Sequence, residues 1–175
     1  EAAQPVNGHP YLTRKGVKAI PALREIATDQ AAAILGYQPQ AKGEPLAGRL
    51  LVAPVKMGEH VSTAELIDEA GRKAAIAGGA KAGGYWAVQP LPEDDGNGLT
   101  LLIGEGVATV LSATEATGHP SIAALSCGNL PMVARAMRKR YPAARLGILA
   151  DLGNGQQDAA AAARAASSPT FFWIV

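Results

Sequence analysis

From Leu99 onward, short apolar runs alternate with helix-forming runs across short joins, and this alternation restricts the fold more than any other feature of the chain. Residues 99–103 read as a strand, and residues 107–117 as a helix closed by Gly118-His-Pro120. Residues 121–125 form a second strand candidate. Asn129 is placed to cap a helix over about 130–141, with Pro131 tolerated in its first turn. Residues 145–150, 158–167 and 170–175 then read as strand, helix and strand. Apolar strands without strict alternation, each followed by a helix, predict an α/β domain with a mainly parallel sheet flanked by helices. Each crossover is expected to be right-handed.

Before Leu99 the pattern changes. Residues 20–35 offer one helix or two, interrupted by Pro21, and residues 49–55, 60–67, 73–76 and 85–88 are short strand candidates. Glycine-bearing turns at Gly58, Gly71 and Gly78-Gly79 separate them, as in an antiparallel meander. The acidic stretch Glu93-Asp-Asp-Gly-Asn-Gly98 reads as a loop joining the two regions. The expected organisation is a smaller α+β subdomain with antiparallel strands over 1–98, then the parallel domain over 99–175.

Composition narrows the function classes. The net charge of +1 supplies no global attraction to nucleic acid. Arg135, Arg138, Lys139, Arg140 and Arg145 form a local basic stretch that suits either a solvated helix face or a basic surface. Cys127 is the only cysteine, which excludes an intrachain disulfide framework and a multi-cysteine zinc site, and fits a cytoplasmic location. No apolar run approaches the roughly 20 residues needed to span a bilayer, so no membrane association is expected. The opening Glu1-Ala-Ala-Gln-Pro5 has neither an initiator Met nor the regions of a signal peptide, as expected for a piece of a longer protein.

Two acids carry the chemistry. Glu105 follows the first strand of the parallel region between Gly104 and Gly106, and Asp151 follows the third. Residues at the carboxyl ends of parallel strands converge on a common crevice, so these acids can meet there and hold a magnesium ion against a phosphate. Gly104 and Gly106 leave room for a sharp turn and for close approach of a phosphate to the main chain. The same residues also suit simpler uses: Glu105 beside helix amides, Asp151 opening a turn, Asp158 and Asn129 as caps. Lys81-Ala-Gly-Gly-Tyr-Trp86 suits single-strand binding by Lys81 charge and stacking on Tyr85 and Trp86, or a hairpin turn leading into a half-buried strand. Arg14-Lys15 and Arg72-Lys73 would extend a basic track. His9, His60 and His119 show no metal-ligand spacing. Neither a P-loop nor a Gly-x-Gly-x-x-Gly turn is present.

Ile103-Gly-Glu-Gly106 and Gly147-Ile-Leu-Ala-Asp151 resemble the Toprim domain shared by primases, topoisomerases and some nucleases. More specifically, the chain resembles the TraC-type primases of conjugative plasmids and phages. The segments His9-Pro-Tyr-Leu-Thr-Arg-Lys-Gly16, Gly48-Arg-Leu-Leu-Val-Ala-Pro54, Gly78-Gly-Ala-Lys-Ala-Gly-Gly-Tyr85 and Leu125-Ser-Cys-Gly-Asn-Leu130 carry that likeness. The resemblance implies a Toprim sheet preceded by a β-rich primase subdomain, and synthesis of short RNA primers on single-stranded DNA from nucleoside triphosphates. It implies magnesium, or manganese, held by Glu105 and Asp151; beside it, the residues themselves offer Arg72, Lys81, Tyr85 and Asn129 for contact with nucleic acid or nucleotide. A helicase or relaxase in the same or a partner chain is the implied associate. One departure stands out: the family places a second aspartate where Asp151-Leu-Gly153 has glycine. A Toprim module that only binds nucleic acid or nucleotide, or a Toprim nuclease, is therefore an alternative.

Overall fold

The computed structural model describes residues 2–150, 156–166 and 170–174, and the chain divides into two units, Glu1–Lys81 and Ala82–Val175.

In the first unit, β1 (Gln4–Pro5), β2 (Arg24–Ala27), β5 (Arg49–Met57), β6 (His60–Ile67) and β7 (Lys73–Ala75) form one antiparallel sheet in the order β1-β2-β5-β6-β7. The expected meander is thus present from β5 to β7. Its first turn is tight, with Met57 opposite His60 and Gly58 at φ +60°, a value that favours glycine. Helix α1 (Pro10–Lys15) is capped by His9, whose Nδ1 accepts the Tyr11 amide at 3.3 Å while Nε2 donates to the Arg49 carbonyl at 2.9 Å. A histidine with no metal-like spacing therefore has a structural task. Helix α2 (Thr28–Leu35) lays Ala31 against Leu46, Leu50 and Leu66, with Leu35 packed alongside. The short hairpin of β3 (Gln40–Ala41) and β4 (Glu44–Pro45) completes the unit.

Within residues 20–35, helix α2 meets the helical expectation and the stretch before it does not. Arg24-Glu-Ile-Ala27 is a strand, because it pairs in register with Arg49, Leu50, Leu51 and Val52 of β5. Ladder pairing with a remote strand outweighs the local helical pattern.

In the second unit, β9 (Thr100–Gly104), β10 (Ser121–Ala123), β11 (Arg145–Ala150) and β12 (Thr170–Ile174) are parallel, and β8 (Trp86–Ala87) pairs antiparallel with β10. The order is β12-β11-β9-β10-β8. The mainly parallel α/β sheet is as expected. Residues 85–88, expected in the meander, instead place Trp86 opposite Ala123 at this sheet's edge. Three helices join the parallel strands: α3 (Val107–Thr117), α4 (Leu130–Arg140) and α5 (Gln156–Ala166). A short 3-10 turn, Cys127–Asn129, precedes α4.

Side chains alternate across the strands, so the two faces can be assigned. Leu101, Ile103, Ile122, Leu146 and Ile148 pack with Val133, Ala134 and Met137 of α4 and with Ala159 and Ala162 of α5. Gly104 faces the other way, toward Val110 of α3 and Leu149 of β11. Helix α3 therefore covers one face of the sheet, and α4 with α5 covers the other. Among the described residues, no helix is long and apolar enough to cross a membrane.

Candidate functional site

The carboxyl rim of the parallel sheet is where the sequence places its acids. Strand β9 is in register with β11, Ile103 lying opposite Ile148. Neighbouring strands in a sheet lie about 4.8 Å apart. Glu105, half-buried, leaves β9 directly into α3. Asp151 and Gly153 lie outside the described residues; β11 ends at Ala150, one position before Asp151. The helix after β9 and the helix after β11 cover opposite faces. Adjacent parallel strands with that arrangement open a crevice at their carboxyl ends.

Glu105 sits on an ordered main chain. The ladder continues past β10, with the Ala124 amide donating to the Gly104 carbonyl and the Leu125 amide to the Glu105 carbonyl, both at 2.8 Å. Leu125 is buried and has φ +67°, a region that non-glycine residues seldom enter. Gly106 caps α3 in an extended conformation, φ −104° and ψ 153°, with no side-chain cap bond. Neither Gly104 nor Gly106 uses a left-handed turn. A Cβ on Gly104 would meet Val110 Cγ1 at 3.0 Å and Leu149 Cδ1 at 3.3 Å, so close helix–strand packing already accounts for this glycine.

Cys127 and Asp158 join the rim. A hydrogen bond with Asp158 pushes the Cys127 thiol up from its ordinary range; burial and the charge of Glu105 push the same way, against the Gly128 amide. Asp158 thus lies in the first turn of α5 rather than before it, and its carboxylate is engaged with this thiol. The sequence reading missed this link because Cys127 and Asp158 belong to different elements.

Among the described residues, no group of three or more His, Cys, Asp or Glu is arranged to hold a metal ion. Magnesium asks for less, commonly one or two carboxylates completed by waters and substrate phosphates. The Glu105 carboxylate offers hard oxygen donors of the kind such an ion takes.

The basic and aromatic candidates occupy other environments. Arg72 Nε donates to Asp68 at 2.7 Å and its Nη1 to Glu44 at 3.2 Å. Burial raises the Asp68 carboxyl, but hydrogen bonds from the Arg72 guanidinium and amide and from the Ala47 amide outweigh it and hold that carboxyl below the usual range. Lys81 is paired with the buried Glu65. Tyr85 and Trp86 are buried, which corrects the stacking expectation: neither ring has a face left for a base. Asn129 is also corrected as a cap. No side-chain cap bond is made to α4; the amide bonds Gly83, Gly84 and Ala124 instead. In the basic stretch, Arg138 donates to the carbonyls of Tyr141, Pro142 and Ala144, closing the end of α4.

Comparison with known proteins agrees with this geometry. Residues 100–171 match the Toprim domain family. A DNA primase TraC of Escherichia coli is 48% identical over 42 residues, covering 24% of this chain and 4% of that protein. A second Escherichia coli DNA primase TraC is 37% identical over 84 residues, covering 42% of this chain and 6% of its own length. The matched segments thus span a small fraction of these relatives. No solved structure matches the chain. Residues 100–171 thus match the Toprim domain family, and parts of the chain are similar to DNA primase TraC.

Proposed function

We propose that this chain is a primase module in which Glu105 and Asp151 hold a divalent cation, magnesium or manganese, for nucleotidyl transfer from nucleoside triphosphates onto short RNA primers templated by single-stranded DNA. The observation that carries the reading is the crevice between β9 and β11, whose following helices leave to opposite faces. When bound, the cation would neutralise charge between carboxylate and triphosphate. Glu105 would supply an oxygen donor, and the amides opening α3 would favour an anion beside it. In this reading Arg72 and Lys81 reach phosphate only by exchanging their carboxylate partners for it. A cytoplasmic site of action and a helicase or relaxase partner in plasmid conjugation complete the proposal.

Glu105→Gln keeps size and removes charge. Primer synthesis on single-stranded DNA with ribonucleotides and magnesium should fall by about 10²-fold or more. The urea midpoint should stay near that of the parent chain. Undiminished synthesis would remove Glu105 from the chemistry.

A binding-only Toprim module is the second reading, favoured by glycine at position 153 where the family has an acid. Gly153→Asp discriminates: a sharp rise in magnesium affinity would mark a decayed site. Nicking of the DNA in the same assay would identify a nuclease.

A further inference from the structure

Asn129 is a buried amide with every donor in use. Its Oδ1 accepts the Gly83 amide at 2.7 Å, and its Nδ2 donates to the carbonyls of Gly84 at 2.9 Å and Ala124 at 2.8 Å. One N–H and two carbonyls face it, so only this orientation of the side-chain amide satisfies all three. The bonds reach 45 and 46 residues back along the chain to Gly84 and Gly83, and five back to Ala124, the residue after β10. From there the main chain passes the constraint on. The amides of Ala124 and Leu125 donate to the carbonyls of Gly104 and Glu105. Leu125 holds φ +67° while buried, and such a conformation persists only where its surroundings over-determine it. The Asn129 bonds beside it are one such restraint.

We infer that Asn129 is a positioning residue for Glu105: through Ala124 and the strained Leu125 it fixes the main chain from which that carboxylate is presented. The inference rests on the reading of Glu105 as a cation-holding acid. Asparagine suits the place because aspartate would set a carboxylate oxygen against the Gly84 and Ala124 carbonyls. Its own chemistry toward nucleotide is not required.

The test is a magnesium titration of the chain followed by backbone NMR at Gly104, Glu105, Gly106 and Leu125, with amide exchange read at Leu125. Asn129→Asp should weaken magnesium binding by about 10-fold, in the range typical for residues that support a metal ligand. It should also accelerate Leu125 exchange by about 10-fold or more under conditions where the protein stays folded. A purely structural asparagine would lower the unfolding midpoint and leave the affinity of the folded protein unchanged, and that result overturns the inference. If Asn129→Asp does not fold, Leu125 decides. Leu125→Gly keeps the amide and accepts positive φ, so affinity should hold within about twofold, whereas the β-branched Leu125→Val should lose it. Equal affinities in these two variants would overturn the inference. Glu105→Gln separates the two claims. If it binds magnesium like the parent, the metal reading fails, and Leu125 exchange in Asn129→Asp still judges the main-chain link. If Glu105→Gln loses magnesium while Asn129→Asp keeps it, only the positioning claim falls.

Discussion

The two units handle polar side chains in opposite ways. In the first, cations are neutralised by nearby carboxylates: Arg49 by Glu69 at 3.0 Å and Glu25 at 3.4 Å, Arg72 by Asp68 and Glu44, Lys81 by Glu65. In the second, the rim is built from backbone amides, the Asn129 side chain and a thiol–carboxylate pair. The difference follows from sheet type. An antiparallel meander folds neighbouring strands onto each other locally, so Asp68 and Arg72 meet across one turn. A parallel sheet instead gathers remote segments at one end. A basic dipeptide such as Arg72-Lys73 is therefore poor evidence for a nucleic-acid surface when its arginine is bound to a buried aspartate.

The ion pairing of the first unit depends most on Asp68. Its side chain is only 1% exposed, so Asp68→Ala strands the Arg72 guanidinium and the Ala47 amide without their acceptor. A loss of about 3 kcal/mol is expected in urea unfolding. A loss under about 1 kcal/mol would mean that pairing in the first unit is incidental.

A smaller effect is expected from Gly104→Ala in the second unit. The new methyl would meet Val110 Cγ1 at 3.0 Å and Leu149 Cδ1 at 3.3 Å, and should cost about 1–2 kcal/mol. Gly128→Ala is the control, with nothing within 4 Å, and should leave the midpoint unchanged. Equal stability of the two variants would show that the rim tolerates a wider β9–α3 spacing.

The smallest effect sharpens the first unit's electrostatics. The Arg49 guanidinium, with help from its amide and against burial, holds the Glu69 carboxyl below its usual range. A depressed carboxyl contributes stability above its ordinary range, lost as pH falls through the lowered one. Glu69 is 38% exposed, so solvent screening limits this to about 0.5 kcal/mol. Glu69→Gln should flatten the acid limb of stability against pH slightly, with no change near neutrality beyond that amount. A steeper acid limb in the variant would reverse the assigned sign.

Much of the second unit was legible in advance. Strands β9 and β11 and helix α3 fall where apolar runs, Gly106 and Gly118 place them. Glu105 was identifiable because a lone acid after an apolar run marks a strand's exit. Other residues misled for physical reasons. Arg24-Glu-Ile-Ala27 has no strong strand signal and becomes a strand by pairing with β5. Asn129 stands where a cap belongs, yet three remote main-chain groups claim its amide. Tyr85 and Trp86 beside paired glycines suggested exposed stacking, but the edge of the parallel sheet buries them.

The amino-acid sequence by itself determined that a β-α alternation follows Leu99, that its strands run parallel, and that acids stand at two of their exits. These properties depend on periodicity, caps and turn residues acting within a few positions of one another. The tertiary structure alone decided that β11 lies beside β9, that the helices after them take opposite faces, and that Asn129 ties Gly83 and Gly84 to the rim. Strand order and long-range hydrogen bonds emerge only when segments far apart in the chain compete to bury the same apolar surface and satisfy the same buried amides.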